Sequence, residues 1–490
     1  MNLSNIRTNH MLNRYLISLS FAVIIYILNL ISIPIIISFS SASSYGEYVL
    51  LLNYLVLLVA FSPLGTGFIF KRELPSADSK ITRGELFYPQ FFVNLSLVLI
   101  FSFLFHLILQ RFGNVFFDSG ISLNFLYIVL FGILYTIYSQ IGFIFKFSEN
   151  VVFYNSHRFV YLASFLFFVF LLFFFLETLD LKILISAQIL SLILTCLIFM
   201  FFAINIVGFT FALYKVKDLL KDIRFGFPLL LVAVVEILMT SSDRFVIAAF
   251  MDSTDVAYYA VAYTVASLIL ILPKIFTISL EPRVMSLIDS GNKSEIRQVI
   301  KFSLSLFYLL AIPAIFASYI FGREVITLFI NEEFGENSSF ILPILVISMF
   351  FYGTSMILSS LLIALLKTKI LFLFNLIVTI LNLVLNIIFF LIFKDIVVAA
   401  ISSLISFFLL HIMIYKNIFI YEKIYLYDQD FLKILFAAFF SFLAVSFLVD
   451  LIPEVRIILF TLIFIFTYVL FLVIFRSFVL KQVYNQILKK

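Results

Sequence analysis

The chain has no tryptophan, a single cysteine, and charge on only 12% of its 490 residues. One thiol, Cys196, forms no disulfide within the chain and no cysteine metal cluster, so neither framework is open to it. A soluble domain is roughly 25% charged and about 45–50% apolar; here the apolar share is 64% and the mean hydropathy +1.20. Such a composition belongs in a bilayer. The sequence also lacks a Gly-x-x-x-x-Gly-Lys-Ser/Thr phosphate loop and any polar segment long enough for a folded domain. Both gaps argue against ATP hydrolysis and against a nucleotide-sugar-binding domain. The four histidines, His10, His106, His157 and His411, lack the spacing of metal ligands and are expected at surfaces or helix ends.

What is abundant is long apolar sequence, with 67 phenylalanines read as packing and lipid-facing bias. Backbone amides find no water in lipid, so a spanning segment is a helix of about 17–25 apolar residues or part of a closed barrel. The runs here do not alternate with period two, which excludes the barrel. The first run follows Arg7 and Arg14 but is longer than the roughly 7–15 residues of a signal-peptide core, and reads as a membrane helix. Fourteen spans are expected, over 15–39, 48–70, 87–109, 123–145, 159–176, 183–206, 225–250, 256–280, 302–321, 340–364, 370–393, 397–415, 434–449 and 457–475. Lys and Arg collect on the cytoplasmic side of membrane helices. With both termini cytoplasmic, this segmentation puts 25 of the 32 basic residues on inner segments and five on outer loops. Arg244 and Lys274 are the two left over, so the basic excess is explained by topology and implies no nucleic-acid partner.

The second and eighth spans open alike, SSYGEYVLLLNYLVLLV and STDVAYYAVAYTVASLI, with Tyr48 and Tyr259 aligned. Repeats of this kind build transporters whose two bundles rock about one central site. The expected architecture is therefore an all-α polytopic membrane protein of two pseudo-symmetric six-helix lobes, over 1–206 and 225–421. A cytoplasmic linker over 207–224 joins them, and 422–490 adds two further helices and a cytoplasmic tail. The linker sequence YKVKDLLKDIRF suits an amphipathic surface helix. Gly65 and Gly67, near the end of the second span, permit close backbone approach or a bend. Asn53, Asn94, Asn205, Asn375, Asn382 and Asn386 are amides at membrane depth, suited to interhelical hydrogen bonds, with 382 and 386 on one face.

The charges on the seventh and eighth spans need another account. Glu236 and Asp243, seven residues or about two turns apart, share a helix face, and Arg244 lies 100° from Asp243. Exposing such groups to lipid costs several kcal/mol, so they are expected to face protein or an aqueous cavity. Two roles compete: an ion-pair clasp with little net energy after desolvation, and a cationic track of Arg244, Lys274 and Arg72 for an anionic headgroup, which guanidinium groups match well. In the second, Glu236 binds a proton for coupling and Asp243 aims Arg244.

In order along the chain, ASSYGEYVLLLNYLVLLVAFSPLGTGF, SSDRFVIAAFMDSTDVAYYAVAYTVASLILILPKIFTISLEPRV, FGREVITLFINEEF and LPILVISMFFYGTSMILSSLLIALLKTK resemble the Wzx-type oligosaccharide flippases of the multidrug/oligosaccharidyl-lipid/polysaccharide superfamily. The resemblance covers nearly the whole chain. It implies a non-enzymatic secondary transporter of the bacterial inner membrane. Its partner would be an undecaprenyl-diphosphate-linked glycan, moved from the cytoplasmic to the outer leaflet for O-antigen, capsule or a related surface polysaccharide. It implies no cofactor, a proton or sodium gradient as the drive, and assembly proteins of the polysaccharide as further partners. Carried over, Arg244 and Lys274 contact diphosphate or acidic sugar, and Arg72 guards the inner opening. The chain departs from the family in lacking a basic residue at the midplane of its first lobe, which points to a sugar recognised by amides and aromatic faces. Runner-up readings are a multidrug exporter or a peptidoglycan-precursor lipid transporter of the same superfamily, and a polytopic polysaccharide polymerase, which the short outer loops disfavour.

Overall fold

The computed structural model describes residues 3–67, 73–74, 79–116, 125–148, 150–210, 216–422, 429–451, 457–475 and 477. Among them every regular element is helical, as lipid demands of an open chain. Twelve described helices are long and apolar enough to span a membrane, and the chain is a multi-pass membrane protein. At the expected first and last spans, the described apolar stretches Val23–Phe39 and Leu459–Ile474 are shorter.

Contacts gather the chain into two compact units, Met1–Ala257 and Tyr258–Lys490. The first contains α1 (Leu3–Phe39), α2 (Ala42–Phe61), α3 (Lys80–Phe116), α4 (Phe125–Phe147), α5 (Val151–Leu176), α6 (Leu181–Val207) and α7 (Val216–Phe250). Here α6 packs on α4 and α5, α5 on α1, α3 on α4, and α7 on α2. One part of its core joins Phe87 of α3, Ile141, Ile144 and Phe145 of α4, and Cys196, Phe199 and Ala203 of α6. Cys196 is thus a buried core residue with its thiol free.

The helix α8 (Ser253–Ser267) begins at the end of the first unit and continues in the second. It runs through one 3-10 turn, Leu268–Leu270, into α9 (Ile271–Asp289). The turn has a local cause: the ring of Pro273 opposes the carbonyl four residues earlier, and the tighter 3-10 winding relieves the clash. The second unit is completed by α10 (Lys293–Phe329), α11 (Glu332–Ser338), α12 (Leu342–Ala364), α13 (Thr368–Phe393), α14 (Val397–Glu422), α15 (Gln429–Leu451) and α16 (Ile457–Ile474). Here α12 packs on α9, α10 and α14, α13 on α14, and α15 on α10 and α16.

Three sequence expectations are corrected. The second span does not run to residue 70: α2 ends at Phe61, and the chain turns through Leu64 and Gly65 at φ 47° and 89°. The amphipathic linker is not a separate helix, because from Val216 its sequence is the first turns of α7, which passes Pro228 without a break. His157 and His411 do not lie at surfaces; both are buried. Neutral imidazole packs as an aromatic ring, and His157 stacks on Tyr138 at 4.2 Å with Phe199 edge-on at 5.3 Å. His411 lies against Phe351 and Tyr415 in the same way. Of the asparagines on α13, Asn382 makes the expected bond between helices, donating to Ser403 Oγ of α14 at 3.4 Å, whereas Asn386 donates within α13 to Asn382 Oδ1 at 3.2 Å.

Candidate functional site

The candidate site lies in the first unit, where α2 and α7 run antiparallel. Glycine sets how close they come. A Cβ on Gly226 of α7 would stand 1.9 Å from the Gly65 carbonyl oxygen, and a Cβ on Gly46 of α2 would stand 1.7 Å from the Ser253 carbonyl oxygen. At each end, then, backbone rests on backbone with no room for a side chain. Between these contacts Tyr54 stacks on Phe245 with ring centroids 4.5 Å apart.

The residues of α7 change environment along its length. Phe225, Leu229, Val232 and Glu236, spaced by three or four, form an exposed stripe, with Leu230, Val234 and Met239 buried. From Ser241 the helix is enclosed on nearly every side, and Asp243 and Arg244 retain only 2% and 8% of their surface. Thus Glu236 and Asp243 share a helix face but not an environment. Arg244 donates from Nη1 to the Thr240 carbonyl one turn back, at 3.1 Å. Tyr45 of α2 is within electrostatic reach of that guanidinium, and Glu47 on the same helix is buried as well. A buried guanidinium is costly unless polar partners surround it. On α7 itself the local sequence supplies Ser241, Ser242 and Asp243 and the Thr240 carbonyl.

Polar contacts continue from α2 into the unit. Tyr45 and Tyr48 lie one turn apart with ring centroids at 6.5 Å. The Tyr48 hydroxyl accepts from Nε2 of Gln188 on α6, whose Oε1 accepts from the Tyr161 hydroxyl of α5. Beside them Ser164 and Ser191 share a hydrogen bond at 2.8 Å. This chain of bonds was not expected from the sequence, although Gln90, Gln140 and Gln188 sit in apolar runs just as the noted asparagines do.

Of the five expected site residues, the structure brings Asp243 and Arg244 together in the interior and puts Glu236 on the exposed stripe. Lys274 is exposed on α9 in the second unit, where Thr277 donates to its carbonyl at 2.9 Å. Arg72 lies outside the described residues. Among the described residues no group of three His, Cys, Asp or Glu side chains is arranged to hold a metal.

A profile described as polysaccharide biosynthesis protein matches residues 12–287, more than half of the chain, and one described as MatE matches residues 228–388. A candidate O-antigen transporter from Shigella flexneri is 28% identical over 137 residues, covering 28% of this chain and 32% of that protein, so the match spans about a third of the relative's length. Among solved structures, the lipid II flippase MurJ in an inward closed conformation aligns with TM-score 0.74 at 15% identity, over 94% of this chain and 99% of that one. An inward-facing MATE-family multidrug resistance transporter of the MOP superfamily aligns with TM-score 0.64 at 13% identity, over 80% and 92%. A point mutant of the Vibrio cholerae MATE transporter VcmN aligns with TM-score 0.52 at 15% identity, over 85% and 100%. At these identities the likeness establishes the fold, which is that of the MOP-superfamily transporters.

Proposed function

Because the chain belongs to the polysaccharide biosynthesis protein family, we propose that it is a flippase carrying an undecaprenyl-diphosphate-linked oligosaccharide across the inner membrane, from the cytoplasmic to the outer leaflet. It performs no covalent chemistry. Two six-helix lobes, 1–206 and 225–421, alternate access to a polar path while the polyprenyl tail stays in lipid, driven by a proton or sodium gradient. The product serves O-antigen, capsule or a related surface polysaccharide.

The observation that carries this reading is the burial of the neighbouring Asp243 and Arg244 of α7, with Tyr45 of α2 within electrostatic reach of the guanidinium. A guanidinium kept in an apolar helix at this cost needs a use, and planar paired donors fit the oxygens of a diphosphate. Asp243 holds Arg244 in position between transport events. Lys274 and Arg72 extend the cationic path, and Glu236 is the proton-binding carboxylate. A second reading, transport of a peptidoglycan-precursor lipid, is favoured by the fold likeness to the lipid II flippase.

Export measured in cells tests the role of Arg244. A charge-assisted hydrogen bond contributes about 1.5–3 kcal/mol, so Arg244→Ala lowers export by roughly 10- to 100-fold with the protein still in the membrane. Arg244→Lys keeps the charge and retains part of the activity; Arg244→Gln resembles Ala. Normal export by Arg244→Ala at normal protein levels contradicts the assignment.

A further inference from the structure

Apart from the charged pair, the first unit encloses a cavity of about 290 Å³ between the C-terminal end of α2, the turn that follows it, α4 and α7. This is at the lower end of the roughly 300–1,000 Å³ of small-molecule sites. Its polar wall is one stretch of α4: Tyr135, Thr136, Ser139 and Gln140, followed by Phe143. Gly65 and Gly67 also line it, and none of the described residues lining it is charged.

Behind this wall is a second layer of polar groups. Gln90 of α3 donates from Nε2 to Gln140 Oε1 at 3.4 Å, and Thr66, between the two glycines, donates to Asn94 Oδ1 at 2.8 Å. The position a Cβ would take on Gly67 is 3.5 Å from Gln90 Oε1. Gln90, Asn94 and Thr136 are almost fully buried, yet Gln90 Oε1, Asn94 Nδ2 and Thr136 Oγ1 have no hydrogen-bond partner among the described residues. A buried polar atom left without a partner costs about 1–3 kcal/mol. Of the three, Thr136 lies in the cavity wall itself, and Gln90 and Asn94 stand in the layer behind it.

The chemistry of these groups narrows what the cavity takes. A charged ligand would meet no counter-charge among the described lining residues. A bare cation would meet neutral oxygens and no carboxylate among the described lining residues. A hydroxyl both donates and accepts, and so matches Thr136 Oγ1 and the Tyr135, Ser139 and Gln140 side chains beside it. Tyr135 and Phe143 add aromatic faces to the wall, against which the apolar face of a sugar ring packs. We propose that this cavity is a binding site for a neutral sugar ring, with Gln140 and Thr136 as its hydrogen-bonding residues. It rests on the reading of the chain as a lipid-linked oligosaccharide flippase, and adds that the glycan is selected here, apart from the diphosphate at Arg244.

The test uses the full chain in proteoliposomes and a short-chain polyprenyl diphosphate bearing a neutral disaccharide with a diazirine on the sugar. The same lipid without sugar is the comparison. Photolabelling is expected within residues 135–143. Gln140→Met and Thr136→Val, both close in volume to the native residues, are expected to lower labelling and transport of the glycosylated lipid about tenfold and to leave binding of the bare lipid unchanged. Should Gln140→Met fail to give monodisperse protein, Thr136→Val decides alone. Transport by wild type with no label at 135–143 and no effect of either substitution overturns the sugar site and leaves the transport reading standing. Labelling at 135–143 without transport supports the site and overturns the transport reading. Neither labelling nor transport, the outcome for a cavity that holds only water, overturns both.

Discussion

Gly226→Ala is the sharpest structural perturbation. In a helix interior alanine is favoured over glycine by about 1 kcal/mol, so a substitution that met no neighbour would stabilise the protein. At Gly226 the new methyl would stand 1.9 Å from the carbonyl oxygen of Gly65 and 2.9 Å from its Cα. No side chain there can rotate away; α2 or α7 must move. Overpacking costs typically 1–3 kcal/mol, and a backbone contact belongs at the upper end. The net expectation is about 2 kcal/mol of destabilisation. Gly113→Ala is the matched control, because a Cβ on Gly113 meets nothing within 4 Å. Thermal unfolding of the purified protein in detergent, followed by size-exclusion chromatography, should place Gly226→Ala below wild type and Gly113→Ala at or above it. Equal stability of the two variants would refute the close packing of α2 on α7, and with it the geometry assigned to Arg244.

Other expectations follow from the same packing. His157→Phe keeps the ring stack on Tyr138 and should change stability by less than about 1.5 kcal/mol, as near-isosteric core changes do; His157→Ala leaves a hole and should cost about 3–5 kcal/mol, the range for an aromatic residue. Asn382→Ala removes the donor to Ser403 Oγ across α13 and α14 and should lower unfolding stability by about 0.6 kcal/mol and by no more than about 1.7, as hydrogen bonds between membrane helices do. Glu281, beyond the apolar span of α8 and α9, has its carboxyl raised above the usual range by partial burial. A raised group favours the folded state while protonated, so its contribution is lost as pH rises through the folded value. Glu281→Gln should remove that part of the fall in stability between acid and neutral pH, read as the difference between two melting curves.

The span plan was legible because length, hydropathy and charge placement act on each helix independently of its neighbours. Residues whose meaning depends on a partner were less so. Glu236 and Asp243 share a helical face in the sequence, yet one is exposed and the other enclosed, since α7 is covered on one side up to Met239 and on nearly every side from Ser241. Histidines are expected at surfaces or helix ends, yet His157 and His411 are buried because the aromatic ring decides the packing, and neighbours of His157 such as Tyr138 and Phe199 are 19 and 42 residues away along the chain. Gly65 was read as allowing either a bend or close approach; the structure shows both, in a turn that ends α2 and seats it on Gly226. The glutamines at 90, 140 and 188 carried the same signal as the asparagines, an amide in an apolar run. Only the fold shows that two of them meet across α3 and α4.

Leaflet transfer by the purified protein bears most directly on the central claim. Wild-type protein in sealed vesicles, given a polyprenyl-diphosphate-linked oligosaccharide on one leaflet, should move it to the other faster under an imposed proton or sodium gradient than without one, and Arg244→Ala should be slower by at least tenfold. Failure to move any lipid-linked glycan under either gradient, alongside robust transport of drug-like cations in the same vesicles, would contradict it.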